Sequence, residues 1–146
     1  MDNIQILKIL KKHHKTFKCF IGCVPSDAIP VSDHYPYGVV VNTDDSTKPG
    51  RHWVAIFVPN SQTVEYFDSF AMVPNQNISK YLSKFKYKYE NKKELQSILA
   101  DTCGEFSIYY IVKRCSGHTF EAILNELSKI PDKDKYVREF VRKLSS

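Results

Sequence analysis

Apolar and polar positions change rhythm several times along this chain, and each rhythm predicts an element. In "NIQILKILKK", residues 3–12, Ile6, Leu7, Ile9 and Leu10 fall on one helical face with Lys8, Lys11 and Lys12 opposite. That pattern predicts an amphipathic helix covering one side of a core. The next stretch, "FKCFIGCVPSDAIPVSDHYPYG", is interrupted by Pro25, Pro30 and Pro36 and is expected to cross the surface as irregular chain. Residues 38–43, "GVVVNT", read as a short buried strand, and "DDSTKPG" as a polar loop closed by Pro49 and Gly50. Two richer apolar runs, "HWVAIFV" and "TVEYFDSF", flank "PNSQ" and predict a β-hairpin.

Further on, "SKFKYKY" alternates strictly, with Phe85, Tyr87 and Tyr89 on one side and Lys84, Lys86 and Lys88 on the other. A strand with one packed and one wet face is expected there. From Thr102 the pattern becomes "TCGEFSIYYIVKRC", apolar nearly all round, which is the mark of a helix buried in the middle of a domain. Thr119 is placed to cap a helix over "FEAILNELSKI", and a final amphipathic helix should begin near Asp132. A helix, several strands and then a helical half make one α+β domain spanning residues 1–146.

Composition narrows the class. Apolar residues make up 42% and charged residues 25%, ordinary for a soluble globular chain. No apolar run is long enough to span a membrane, and the N-terminus lacks a cleavable leader pattern, so a soluble, intracellular protein is expected. The four cysteines, Cys19, Cys23, Cys103 and Cys115, contain no C-x-x-C pair, and free thiols in a reducing compartment are the simplest expectation. A zinc site from Cys19, Cys23 and His13 or His14 is the alternative, at unusual spacing. Net charge is +5, concentrated in residues 8–18 and 80–93, which favours a polyanionic partner somewhere in the protein's life.

The chemistry starts from "GRHWVAIFV", where a histidine opens a buried strand. If the hairpin turns near Asn60, residue i faces a partner at about 120 minus i, and Asp68 stands opposite His52 within hydrogen-bonding reach. The carboxylate would then orient and charge-stabilise the imidazole. Cys103, at the start of the buried helix, gains thiolate character from unpaired N–H groups and the helix dipole. Gly104 leaves room for an approaching peptide. Gln96, just upstream, offers a neutral amide to a developing oxyanion. Singly, each has a plainer reading: a half-buried histidine bonded to backbone, an inert buried thiol, a surface glutamine.

In chain order, "HW" opening a strand, an acid closing the next strand in "YFDSF", a glutamine, and "CG" opening a buried helix together resemble the adenovirus-type cysteine proteases (adenain) and their SUMO-deconjugating relatives. "VNTDDSTKPGRHW" and "FIGCVPSDAIP" are similar to the adenain-like proteases of Maverick/Polinton elements and related DNA viruses. The likeness covers roughly residues 17–116. It implies a papain-like core of the adenain type, a mixed sheet packed on the helix that begins at the nucleophile. It further implies His52 as general base, Asp68 as its partner, Cys103 as nucleophile, Gln96 as oxyanion donor and Trp53 narrowing a cleft that admits glycine.

The implied activity is endoproteolysis of viral or mobile-element capsid precursors at Gly-containing sites by a monomeric enzyme. Removal of ubiquitin-like modifiers is the alternative, and a non-catalytic basic nucleic-acid-binding scaffold the alternative of another class. DNA, through Lys84, Lys86 and Lys88, and an activating peptide are the cofactors the family suggests. The pattern departs from adenain in having Asp68 where adenain has Glu, and in lacking a cysteine before Gln96 that could tether such a peptide.

Overall fold

The computed structural model describes residues 1–44 and 52–145. The polar loop expected around Pro49 and Gly50 lies outside the described residues. Ten elements follow in order: α1 (Asn3–Lys12), β1 (Phe20–Pro25), β2 (Tyr37–Asn42), β3 (Trp53–Asn60), β4 (Thr63–Phe67), α2 (Gln76–Leu82), β5 (Tyr87–Glu90), α3 (Cys103–Cys115), α4 (Phe120–Ser128) and α5 (Lys133–Ser145). The strands form one mixed sheet in order β1-β2-β3-β4-β5, with parallel edges (β1·β2, β4·β5) and an antiparallel centre.

Strands β2 and β3 are buried almost throughout because both faces of the sheet are covered, which is why their sequences run apolar without alternation. Val40, Ala55, Phe57 and Phe67 pack with α1, α3, α4 and α5, whereas Val39, Val41, Val54, Ile56, Val58 and Val64 pack with α2. Helix α3 is the inner helix. Phe106, Ile108, Tyr109, Tyr110 and Ile111 are fully buried, so its apolar circumference has cover on every side. Its basic end is tied to the sheet by Arg114, whose Nε and Nη2 both donate to Glu65 at 2.8 Å while the guanidinium lies 4.5 Å from the Phe57 ring centre. Tyr110 donates to the same carboxylate. Removing one partner from such a buried pair typically costs about 3–5 kcal/mol.

Three expectations are corrected. Residues 20–25 are not irregular. They form β1, whose closing Pro25 is tolerated because an edge strand has N–H groups outside any ladder. The alternating lysine and aromatic stretch is only partly a strand, since Lys84 and Lys86 precede β5 and only Lys88 lies within it. Phe85 is buried, but Tyr87 and Tyr89 remain 46% and 45% exposed, because β5 is the sheet edge and only Phe120 of α4, 6.0 Å from the Tyr89 ring, reaches that face. The helix α2, capped by Asn75, whose Oδ1 accepts the Ile78 N–H while its Nδ2 donates to the Thr43 carbonyl, was hidden by its shortness.

The third correction concerns cysteine. Cys115, at the end of α3, is joined by a disulfide to Cys19, just before β1, leaving Cys23 and Cys103 free. The expectation of four free thiols, and the zinc alternative that used Cys19, therefore fail. Periodicity had placed Cys115 correctly on α3, but only the packing of α3 across the sheet brings its Cα to 6.4 Å from that of Cys19. Among the described residues no His, Cys, Asp or Glu cluster could hold a metal ion, and no helix is long and apolar enough to cross a membrane.

Because the bridge spans 96 positions in sequence, the chain-entropy argument gives it about 4–5 kcal/mol. Reduction with dithiothreitol, or Cys19→Ser, is expected to lower the midpoint of urea unfolding accordingly, and unchanged unfolding would show that the bridge carries no stability.

Candidate active site

The site assembles where three elements meet: the start of β3, the chain leaving β4 and the N-terminus of α3. His52 immediately precedes β3, and its Nε2 lies 2.7 Å from Oδ1 of Asp68. The expected register was two residues off. Ala55 faces Phe67 and Phe57 faces Glu65, so the pairing sum is 122 rather than 120; the ladder ends at Phe67, and Asp68, the next residue, opens a turn closed by the Ala71 N–H on its carbonyl. The contact survives because a two-residue offset at the strand ends is still within reach of longer side chains. Phe70 itself stacks on the imidazole, ring centres 5.0 Å apart, and shields it from water.

Asp68 is almost completely buried and receives several donors. Oδ1 accepts the Phe70 N–H at 2.9 Å in addition to His52, and Oδ2 accepts the Met72 N–H at 3.2 Å. The turn that delivers these amides requires Ala71 at φ 52, a left-handed backbone that a non-glycine residue adopts at a cost of about 1 kcal/mol or more. Asn91, which the sequence did not single out, holds the other side. Its Oδ1 accepts the Asp68 N–H at 3.0 Å and its Nδ2 donates to the Asp68 carbonyl at 2.7 Å. The carboxylate that meets His52 is thereby fixed through both its side chain and its main chain.

With Nε2 engaged by Asp68, the ring nitrogen left for Cys103 is Nδ1. Burial of the imidazole lowers its basicity, but the hydrogen bonds to Asp68 and Cys103 outweigh that, and His52 is pushed up to about 9. Cys103 moves the opposite way. Burial raises its value, yet the hydrogen bond with His52 and backbone hydrogen bonds from Trp53 and Gly104 hold the thiol below its ordinary range. Opposed shifts in two touching groups run in the direction that moves the thiol proton toward the imidazole. Helix α3 supports it: Thr102, the N-cap residue, makes no side-chain cap, because its hydroxyl is turned to Asp134, so the first N–H groups stay free for negative charge. The free thiol Cys23 differs, being pushed up to about 12 by burial and by Asp2.

Gln96 is buried in the segment leading to α3, with its Nε2 donating to the Ala100 carbonyl at 2.7 Å and its Oε1 accepting the Ser69 hydroxyl at 2.6 Å. Trp53 is also buried, and its Nε1 donates to the Met1 carbonyl at 3.1 Å. Gly104 does not open onto empty space. A Cβ there would meet the Met1 side chain at 3.2–3.4 Å, so the missing side chain makes room for Met1. Lys84, Lys86 and Lys88 do not form one row; Lys84 lies over the Tyr81 ring and Lys86 over Tyr87. Ser69, Phe70, Asn91 and Met1 carried no sequence signal, since their contribution depends on contacts with chain far away.

No protein-family model matches the chain. Among individual proteins, it is 30% identical over 113 residues to the cysteine protease S273R of African swine fever virus, covering 68% of this chain and 41% of that protein. The same protein from another isolate of the virus is called SUMO-1 cysteine protease S273R. The chain is also 31% identical over 157 aligned positions to the putative thiol protease R355 of Acanthamoeba polyphaga mimivirus, covering 88% of this chain and 51% of that one. It thus spans about half the length of these relatives or less. Its fold is that of the solved pS273R protease of African swine fever virus, at a TM-score of 0.71 with 18% identity, covering 96% of this chain and 65% of that one. The central domain of Lpg1148 from Legionella pneumophila is more distant, at a TM-score of 0.57 and 12% identity. The expected α+β architecture, a mixed sheet against a buried helix that begins at the cysteine, is the one observed.

At pH 6 an ordinary thiol is almost wholly protonated, so iodoacetamide is expected to modify Cys103 faster than Cys23, and His52→Ala to slow Cys103 labelling by at least about tenfold. Equal labelling of both thiols by mass spectrometry would deny the ion pair. Asn91→Ala leaves the buried Asp68 N–H unpaired and its carbonyl with the Ala71 N–H alone, and is expected to cost about 1–3 kcal/mol in urea unfolding.

Proposed function

We propose that this chain is a cysteine endopeptidase. The observation that carries the reading is a single imidazole bridging a buried carboxylate and a thiol, with His52 pushed up to about 9 and Cys103 held below its ordinary range. In the proposed sequence the Cys103 sulfur attacks the scissile carbonyl carbon, and the carbonyl oxygen takes up the negative charge. The free N–H groups at the start of α3 and the Gln96 amide receive that oxyanion. His52 then passes its Nδ1 proton to the departing amine, and the C–N bond breaks to leave a thioester. Water, deprotonated by His52, attacks the thioester, returns the proton and frees Cys103. Asp68 accepts from Nε2–H throughout, keeping the ring in the orientation that presents Nδ1 to the sulfur.

For the substrate, viral or mobile-element capsid precursors cut at Gly-containing sites remain the first reading. Relatives named SUMO-1 cysteine protease favour a second, release of a ubiquitin-like modifier from its conjugates by the same chemistry. Both substrates present glycine to the cleft. DNA and an activating peptide are proposed as stimulants of either activity, DNA through the basic surface.

Purified protein is expected to cleave Gly-Gly-containing fluorogenic peptides, and Cys103→Ala to lower kcat by at least about a thousandfold. Because His52 must carry a proton to the leaving group, activity should persist at neutral pH and fall as pH rises through about 9. A wild type as inert as Cys103→Ala would overturn the reading. Cleavage of a SUMO-fused reporter but not of the peptides would select the second substrate.

A further inference from the structure

Asp68 and Ser69 are neighbours in sequence, yet they serve opposite ends of the site. Asp68 meets His52, while Ser69 turns away toward the segment before α3, 27 positions later. Three bonds join Ser69 to that segment. Its carbonyl accepts the N–H groups of Leu95 at 2.8 Å and Gln96 at 3.0 Å, and its hydroxyl donates to Gln96 Oε1 at 2.6 Å. Both side chains are nearly inaccessible to solvent, Ser69 at 1% and Gln96 at 4%.

The consequence is a defined orientation for the Gln96 amide. A primary amide can turn over by half a rotation, exchanging its oxygen and nitrogen. Here the Ala100 carbonyl can only accept, so it requires nitrogen on its side, and the Ser69 hydroxyl supplies the donor that oxygen needs on the other. Of the two Nε2 hydrogens, one goes to Ala100 and the second meets no acceptor among the described residues. That second hydrogen is left without a partner by the two contacts that fix the amide.

We propose that Ser69 is a positioning residue for catalysis, locking the Gln96 amide with an N–H presented to the oxyanion. The inference rests on the protease reading above. The dipeptide Asp68–Ser69 thus sets two catalytic groups from one short segment: the carboxylate orients the base, and the hydroxyl orients the oxyanion donor. Asn91 clasps the Asp68 main chain and so steadies both. Without the Ser69 hydroxyl the Gln96 oxygen loses its donor, and the amide samples orientations that present no N–H to the oxyanion. The loss appears in the transition state, where the charge develops, rather than in substrate binding.

The test is a double-mutant cycle on peptide hydrolysis with Ser69→Ala and Gln96→Ala. Ser69→Ala alone is expected to lower kcat about tenfold with KM unchanged, while adding it to Gln96→Ala costs nothing further. Iodoacetamide labelling of Cys103 at pH 6 should stay at the wild-type rate in Ser69→Ala, since the thiolate–imidazolium pair does not use Gln96. Ser69→Thr, which keeps the hydroxyl, should restore kcat. An equal loss in both backgrounds, or slowed labelling, would overturn the inference and make Ser69 a purely structural residue.

Should Ser69→Ala not fold, the wild-type Gln96 side-chain amide, assigned by NMR through Gln96→Ala, decides. Two resolved and slowly exchanging protons fit the lock, and averaged or rapidly exchanging ones exclude it. A wild type with no hydrolysis above Cys103→Ala would instead sink the protease reading, and this inference with it.

Discussion

Everything in this structure accommodates one helix that has no polar side to show to water. Helix α3 is apolar nearly all round, so it has to be covered on every side, and the sheet, α1, α4 and α5 do so. Burying a helix this completely leaves its two ends as the places where polar groups meet solvent or partners. At the C-terminal end the lysine and arginine of the last turn find Glu126 and Glu65, and Cys115 is bridged to Cys19. At the N-terminal end no side chain caps the helix, and the free amides face a cysteine that the same helix carries. An uncapped terminus favours negative charge, and the residue placed there is Cys103, whose thiol is held below its ordinary range.

The second constraint is the exit of β4. Within the few residues after Phe67, the chain places a carboxylate on His52, a phenyl ring over the same imidazole and a hydroxyl on Gln96. So many demands on so short a segment explain the left-handed backbone at Ala71, and the need for Asn91 to brace Asp68 from outside. Local strain of about 1–3 kcal/mol is sustained because each neighbouring contact fixes the next. The site is rigid for that reason, and a rigid array of donors is the form in which hydrogen bonds stabilise a transition state most.

Met1 occupies ground that the sequence had assigned to substrate. It lies against Gly104 and accepts from Trp53, the immediate chain neighbours of Cys103 and His52. The capping box between Asp2 and Gln5, and the complete burial of Ile6 and Leu10, hold the start of α1 in that position. The amphipathic helix therefore covers the core and also walls the neighbourhood of the nucleophile.

The residue pattern alone made legible the elements whose signal is periodic or compositional: α1, the central strands, the buried α3 and the two C-terminal helices. It also determined the order of His52, Asp68, Gln96 and Cys103, because chain order and strand adjacency suffice to bring a histidine and an acid near one another. What depends on chain far away became visible in the folded molecule. The turn that follows β4 brings Asp68 to His52 and sets Phe70 over the ring. The disulfide joins residues 96 positions apart in the sequence, and Ser69, Asn91 and Met1 act through partners tens of residues away. The lysine alternation misled for the same reason, since whether a pleated face is packed depends on which helix reaches the sheet edge. Period-two patterning states which residues share a face, and says nothing about what lies against it.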